Sequence, residues 1–207
     1  MRLIGMLDSP YVRRVAISLD VLGVAFDHEA VSVFSTFEKF KSINPVVKAP
    51  TLVCDDGEVL MDSSLILQFI EAAKTNGRTL WSKDSVQLQH EFRAVSLAMA
   101  ACEKAVQCVY EVNLRPEAAQ YGPWLTRVKG QLIAALELLE IEVANRPNDF
   151  ESAINQECIT IGVVWQFIQT MLPDVVNKND YKNIETLSAR MELNSSFIKY
   201  PPVGPGV

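Results

Sequence analysis

The sequence is poor in the residues that usually hold metals or disulfides. It has two histidines, His28 and His90, and four cysteines, Cys54, Cys102, Cys108 and Cys158, with no CxxC pair and no histidine close to any of them. That pattern argues against a zinc site, and in a reducing compartment it argues against a disulfide framework. No run of about 18 apolar residues occurs, so no membrane span is expected. The opening MRLIGMLDSP meets a carboxylate and a proline too early for the apolar core of a secretory signal. Basic residues are scattered, with Arg13-Arg14 the densest group, and the net charge is −6. Binding nucleic acid needs clustered Lys and Arg to neutralise phosphates, so that class of partner is not expected. There is no internal repeat and no low-complexity tract. What remains is 207 residues, 49% apolar and 21% charged, enough for packed cores in one large domain or two small ones. The expectation is a soluble cytoplasmic protein without a metal.

The two halves of the chain differ in period. From residue 2 to 73 the elements are short and alternate in type. Arg2 to Met6 reads as a buried strand. Asp8-Ser9-Pro10 starts a helix, with Ser as N-cap and Pro at the first position, where a missing donor costs nothing. Val12, Val15, Ala16, Leu19 and Leu22 follow at helical spacing before Gly23. Phe26 to Val33 reads as a second strand, and a less defined helical segment covers 35–42. Residues 50–54 and 59–61 flank the Asp55-Asp56-Gly57-Glu58 turn as a hairpin. Asp62-Ser63-Ser64 then caps a helix whose apolar face holds Leu65, Ile66, Phe69 and Ile70. The order is βαβ followed by αββα. From about residue 85, helical periods run almost without interruption over 85–113, 117–146, 153–171 and 180–191. Mixed elements followed by helices alone predict two domains, an α/β domain over 1–76 and an all-helical domain over 85–207, with 77–84 as linker. The final residues from Tyr200 are expected to be extended.

Three places can carry chemistry. Ser9 sits where a strand gives way to a helix, and the free N–H groups and dipole of a helix start favour an anion there. A hydroxyl at that point can donate to a bound thiolate, although spacing alone favours a plain helix cap. Pro50 opens a strand after Lys48-Ala49, which suits an edge or a cis turn exposing backbone groups to an extended peptide; a structural turn is the alternative. Asp62-Ser63 offers a carboxylate and a hydroxyl to an amino-acid-like ligand, and helix capping explains that pair too.

These motifs occur in one order, and together the segments 9–15 (SPYVRRV), 43–52 (INPVVKAPTL) and 62–70 (DSSLILQFI), with 111–117 (EVNLRPE) in the helical half, resemble the bacterial glutathione S-transferases. The resemblance covers nearly the whole chain. It implies a thioredoxin-like N-terminal domain, a helical C-terminal domain and a homodimer that binds glutathione as co-substrate. By position, Ser9 activates the thiol, and the backbone of Ala49, held by a cis Pro50, pairs with the cysteinyl part. Asp62 and Ser63 hold the γ-glutamyl end, and Tyr11 and Lys48 line the site. Ser152-Ala153-Ile154-Asn155 resembles the family's capping box, with Asn in place of the usual Asp.

The departures bear on the acceptor. Val47-Lys48-Ala49-Pro50 replaces the usual Gly-Lys-Val-Pro, and Leu97-Ala98-Met99-Ala100 stands where relatives often read Leu-Ala-Asp-Gly. Ile168 takes the place of an Arg. Met99, Glu103 and Trp165 are the candidate acceptor contacts, with helix-core packing the alternative for Met99 and Trp165; Glu103 would reach a dimer partner's ligand. The function expected is a glutathione transferase that activates the thiol for attack on, or reduction of, a small hydrophobic electrophile, whether in detoxification, peroxide reduction or catabolism. The alternative is a glutathione-binding carrier or scaffold with little turnover. A disulfide oxidoreductase is disfavoured, because no cysteine lies at the first strand–helix junction.

Overall fold

The computed structural model describes residues 1–146 and 154–204. The chain divides into two compact units, one made of Met1–Leu80 with the described residues from Asn194 onward, the other of Trp81–Leu193.

In the first unit the elements run β1 (Arg2–Ile4), α1 (Pro10–Leu22), β2 (Asp27–Glu29), α2 (Phe37–Ile43), β3 (Thr51–Val53), β4 (Val59–Met61) and α3 (Ser63–Ala73). The sheet order is β2-β1-β3-β4, with β1 parallel to β2 and antiparallel to β3, and β3 antiparallel to β4. This is the thioredoxin-like arrangement. Leu3, Ile4 and Leu52 are fully buried in the sheet, and Val12, Val15, Ala16 and Leu19 of α1 are buried with them. Phe40 of α2 packs against Ile4 and Val31. β2 is much shorter than the 26–33 expected. The chain turns at Ser32, whose hydroxyl accepts from the backbone N–H groups of Phe34 and Ser35 and so withdraws them from any strand.

The second unit consists of α4 (Ser85–Asn113), α5 (Gly122–Ala144), α6 (Gln156–Met171) and α7 (Lys182–Glu192). α6 is buried on nearly every face and forms the centre of this bundle. α5 starts later than expected: Glu117–Ala119 forms a single 3-10 turn, and the helix restarts at Gly122 with Pro123 in its first turn. α6 also starts later. Its N-cap is Asn155, whose side chain accepts from the Cys158 N–H at 2.8 Å. Ser152 and Ala153 lie outside the described residues. Among the described residues no helix is long and apolar enough to cross a membrane.

The sequence reading missed α8 (Ser195–Lys199), capped by Asn194. This helix and the residues after it join the first unit rather than the helical one. Ser196 and Lys199 hydrogen-bond the Asp20 carboxylate at 2.6 and 2.5 Å, and Tyr200 stacks on Phe26. Burial raises the Asp20 pKa, but the hydrogen bonds from Lys199 and Ser196 outweigh it and hold the carboxyl below its usual value.

Gly5 ends β1 at φ +143°, a region that side chains rarely adopt, and a β-carbon there would lie 2.5 Å from Val12 Cγ2. Strain and overpacking each cost about 1–3 kcal/mol, so Gly5→Ala should lower the unfolding free energy by about 2–4 kcal/mol. Denaturant unfolding with an unchanged m-value measures this, and a loss below about 0.5 kcal/mol contradicts it.

Candidate functional site

The sheet's register assembles the site. Ile4 lies beside Thr51, and Thr51 beside Met61. β1 therefore ends, β3 begins and β4 ends at one edge, and the turns at Ser9, Ala49-Pro50 and Asp62-Ser63 emerge together. A side chain on Gly5 would meet Ala49 Cβ at 3.3 Å, which places the turn after β1 against the turn before β3.

Ser9 occupies the N-cap position of α1, with φ −71° and ψ 119°. Its N–H donates to Met6 O at 3.2 Å, and its carbonyl accepts from the Arg13 N–H at 3.0 Å. Its hydroxyl makes no cap hydrogen bond, and the first turn of α1 holds no acidic residue. The plain-cap explanation therefore does not account for the hydroxyl. Among the described residues, the positive pole of the helix and the Ser9 hydroxyl beside it meet no acidic side chain of the first turn. Tyr11, one turn-position inside the helix, is half-buried and already has a partner within the protein.

Ala49-Pro50 is cis. Among the described residues, neither backbone group of Ala49 pairs with another backbone group. The loop before it is fixed by Asn44, a buried residue the sequence reading passed over. Asn44 Nδ2 donates to Thr51 Oγ1 at 2.8 Å, and its Oδ1 accepts from the Val46 N–H at 3.0 Å. Val47, standing where the family pattern has Gly, still takes a left-handed φ of 54°. Its side chain packs against the Ile4, Val31 and Phe40 cluster, which offsets the strain of a β-branched residue there.

Asp62 has φ +74°, a strained value for a residue with a side chain. Its Oδ1 caps α3 by accepting from the N–H groups of Ser64 and Leu65, while Oδ2 lies 3.6 Å from Lys48 Nζ. Lys48 and Asp62 are both open to solvent, so this ion pair is weak. Ser63 is buried, and its hydroxyl accepts from Arg14 Nη1 at 3.2 Å while the same nitrogen reaches Ser64 Oγ at 3.1 Å. Ser63 thus keeps its own proton to donate. Arg14 was legible only as half of the densest basic pair; its burial among apolar α1 positions is what gives it meaning. His28 sits with Nε2 2.8 Å from the Gly5 carbonyl.

The acceptor candidates separate. In α4, Met99 is half-buried and Glu103 is exposed, accepting from Lys104 and Gln107 at 2.9 Å each. Trp165 is only 2% exposed, donates to Glu185 and meets Tyr181 edge-on, while Ile168 is fully buried. Both belong to the core of the helical unit, which gives Trp165 a packing role. Among the described residues no group of three or more potential metal ligands occurs. Cys102, Cys108 and Cys158 are buried, and burial pushes the Cys158 thiol up to about 12. Cys54 is partly exposed, and burial together with the Asp56 charge raises its pKa.

A model of the glutathione S-transferase N-terminal domain matches residues 3–77. The chain is 28% identical over 140 residues, 68% of each protein, to the uncharacterized GST-like protein YibF of Escherichia coli (strain K12). A glutathione S-transferase from Methylobacterium radiotolerans, solved in complex with glutathione sulfonate, is similar with a TM-score of 0.86 and 26% identity, covering 100% of this chain and 96% of that one. Another, from Methylobacillus flagellatus with GSH bound, has the same fold, with a TM-score of 0.86 at 23% identity and coverage of 98% and 99%.

Because its thiols are buried or raised in pKa, the native protein should react with a thiol reagent at Cys54 alone, and slowly. Counting modified thiols by mass spectrometry before and after denaturation checks this; rapid labelling of a second cysteine in the folded state contradicts it.

Proposed function

We propose that the chain is a member of the glutathione S-transferase superfamily, binding glutathione and joining its sulfur to a small hydrophobic electrophile. The observation that carries this reading is the Ser9 hydroxyl, uncommitted at the positive end of α1. Ser9 donates to the sulfur, and the helix start stabilises the thiolate relative to the thiol. The Ala49 backbone pairs with the cysteinyl residue as an added strand would. Asp62 takes the ammonium of the γ-glutamyl end, and the Ser63 hydroxyl, aligned by Arg14, donates to its carboxylate.

In the reaction the glutathione S–H proton leaves to solvent. The sulfur lone pair forms a C–S bond with the electrophile, and the leaving group departs with its bonding electrons. Catalysis by this chain is positional and electrostatic: it holds the sulfur, keeps it ionised and leaves the carbon chemistry to the reactants. Met99 and Glu103 remain the candidate acceptor contacts. Open apolar residues Met61 and Leu65 on β4 and α3 support a homodimer, and four free cysteines accord with the cytoplasm.

Ser9→Ala, assayed with glutathione and an activated aryl halide, should lose about 10²- to 10³-fold in kcat, by analogy with loss of one donor to a developing or held anion. Its glutathione Kd should change less than about fivefold, since the remaining contacts are intact. Unchanged turnover in the variant contradicts the role of Ser9. Tight glutathione binding by the wild-type chain without turnover on any electrophile favours the carrier reading instead.

A further inference from the structure

Ser9 stands between two residues that grip the C-terminal segment. The residue before it, Asp8, lies so close to Gly204 that a β-carbon on that glycine would fall 2.1 Å from both Cγ and Oδ2 of the carboxyl group. One turn after it, Arg13 gives its backbone N–H to the Ser9 carbonyl and its guanidinium to the segment. Nε donates to Tyr200 O at 2.8 Å, Nη2 donates to Phe197 O at 3.4 Å, and the cation lies 5.2 Å from the centre of the Phe197 ring. Arg13 is 1% exposed. Removing a guanidinium from water to that degree is costly, and here the charge is used to hold backbone carbonyls near the chain's end.

The grips follow α1 in order. Ser196 and Lys199 hold Asp20 near its C-terminal end, Arg13 holds Phe197 and Tyr200 in its first half, and Gly204 meets Asp8 just before it begins. The segment from Asn194 to Gly204 thus runs back along α1 and finishes beside the turn that carries Ser9. That turn, residues 5–9, belongs to neither β1 nor α1. Its internal backbone tie is the Ser9 N–H to Met6 O bond at 3.2 Å.

Given the reading that Ser9 meets the glutathione sulfur, we infer that the segment 194–204 braces the Ser9 turn, with Gly204 and Arg13 as positioning residues. Gly204 acts through Asp8, and Arg13 acts through the first turn of α1. Hydrogen-bond donation to a sulfur anion depends on where the hydroxyl sits, and a misplacement of about 1 Å at a reacting centre costs up to about a hundredfold in rate. Glycine at 204 is what lets the segment approach, since any side chain would drive aside the carboxylate of Asp8, the residue next to Ser9.

The test uses the full chain. Calorimetry first establishes that the wild type binds glutathione, and turnover is then measured with glutathione and an activated aryl halide. Gly204→Ala should lower kcat about tenfold, while the glutathione Kd and the thermal midpoint stay close to wild type. Adding Asp8→Gly in the same chain should restore most of the lost kcat, because it makes room for the new methyl group. Ile198→Ala, on the exposed side of the same segment, should leave kcat unchanged. A kcat in Gly204→Ala equal to wild type overturns the brace. So does a loss that Asp8→Gly fails to rescue, or one that comes with a parallel fall in thermal midpoint. A wild-type chain that does not bind glutathione overturns the underlying reading itself, and the brace with it.

Discussion

β1 pairs in parallel with β2 on one side and antiparallel with β3 on the other, and its register fixes the row Ile4, Thr51, Met61. Each strand is three residues long, so a slip of one position would turn its buried face outward and expose Leu3 or Leu52. The same row decides where three loops leave the sheet. Ser9, Ala49 and Asp62 are far apart in sequence and come together for this reason alone. The Lys48–Asp62 pair is solvent-exposed and adds little to the assembly, and among the described residues Ser9 bonds through its backbone. The pairing and packing of the sheet supply the rigidity, and the loops carry the candidate site residues.

Polar groups buried behind the loops keep them in place. Arg14 ties α1 to Ser63 and Ser64 at the start of α3, and Asn44 ties the loop before β3 to Thr51. Among the described residues, the Ser63 hydroxyl is thereby left with its proton and Ala49 with no backbone partner. Strain is concentrated in the same place. Val47 and Asp62 both take positive φ, and each is held there by packing or capping contacts.

Much of this was legible in the sequence because it rests on local patterns. Ser-Pro marks the start of α1, Asp62 the start of α3, and the spacing of Val12, Val15, Ala16 and Leu19 marks a buried helix face. The limits of α4 follow from its unbroken period. What escaped were features set by tertiary contact. A five-residue helix such as α8 has too few turns to show a period, and its capture by Arg13 depends on residues nearly the whole chain apart. The shortness of β2 comes from the Ser32 turn, which mimics ordinary strand composition. Trp165 could be read as pocket or core from sequence; burial and its bond to Glu185 place it in the core. Whether Ser9 caps its own helix was also undecidable from spacing, since a cap and a donor to a ligand demand the same residue at the same place.

That last distinction is the centre of the proposal: the Ser9 hydroxyl makes no cap hydrogen bond at the start of α1, and the proposed function gives it an anionic sulfur to meet. The most direct measurement is the pKa of the glutathione thiol in the binary complex, followed through thiolate absorbance in the ultraviolet as pH is varied. The account predicts a value at least about one unit below the 8.5 or so of a free thiol, because the helix pole and the Ser9 donor favour the charged form. Bound glutathione that titrates like the free thiol would contradict it.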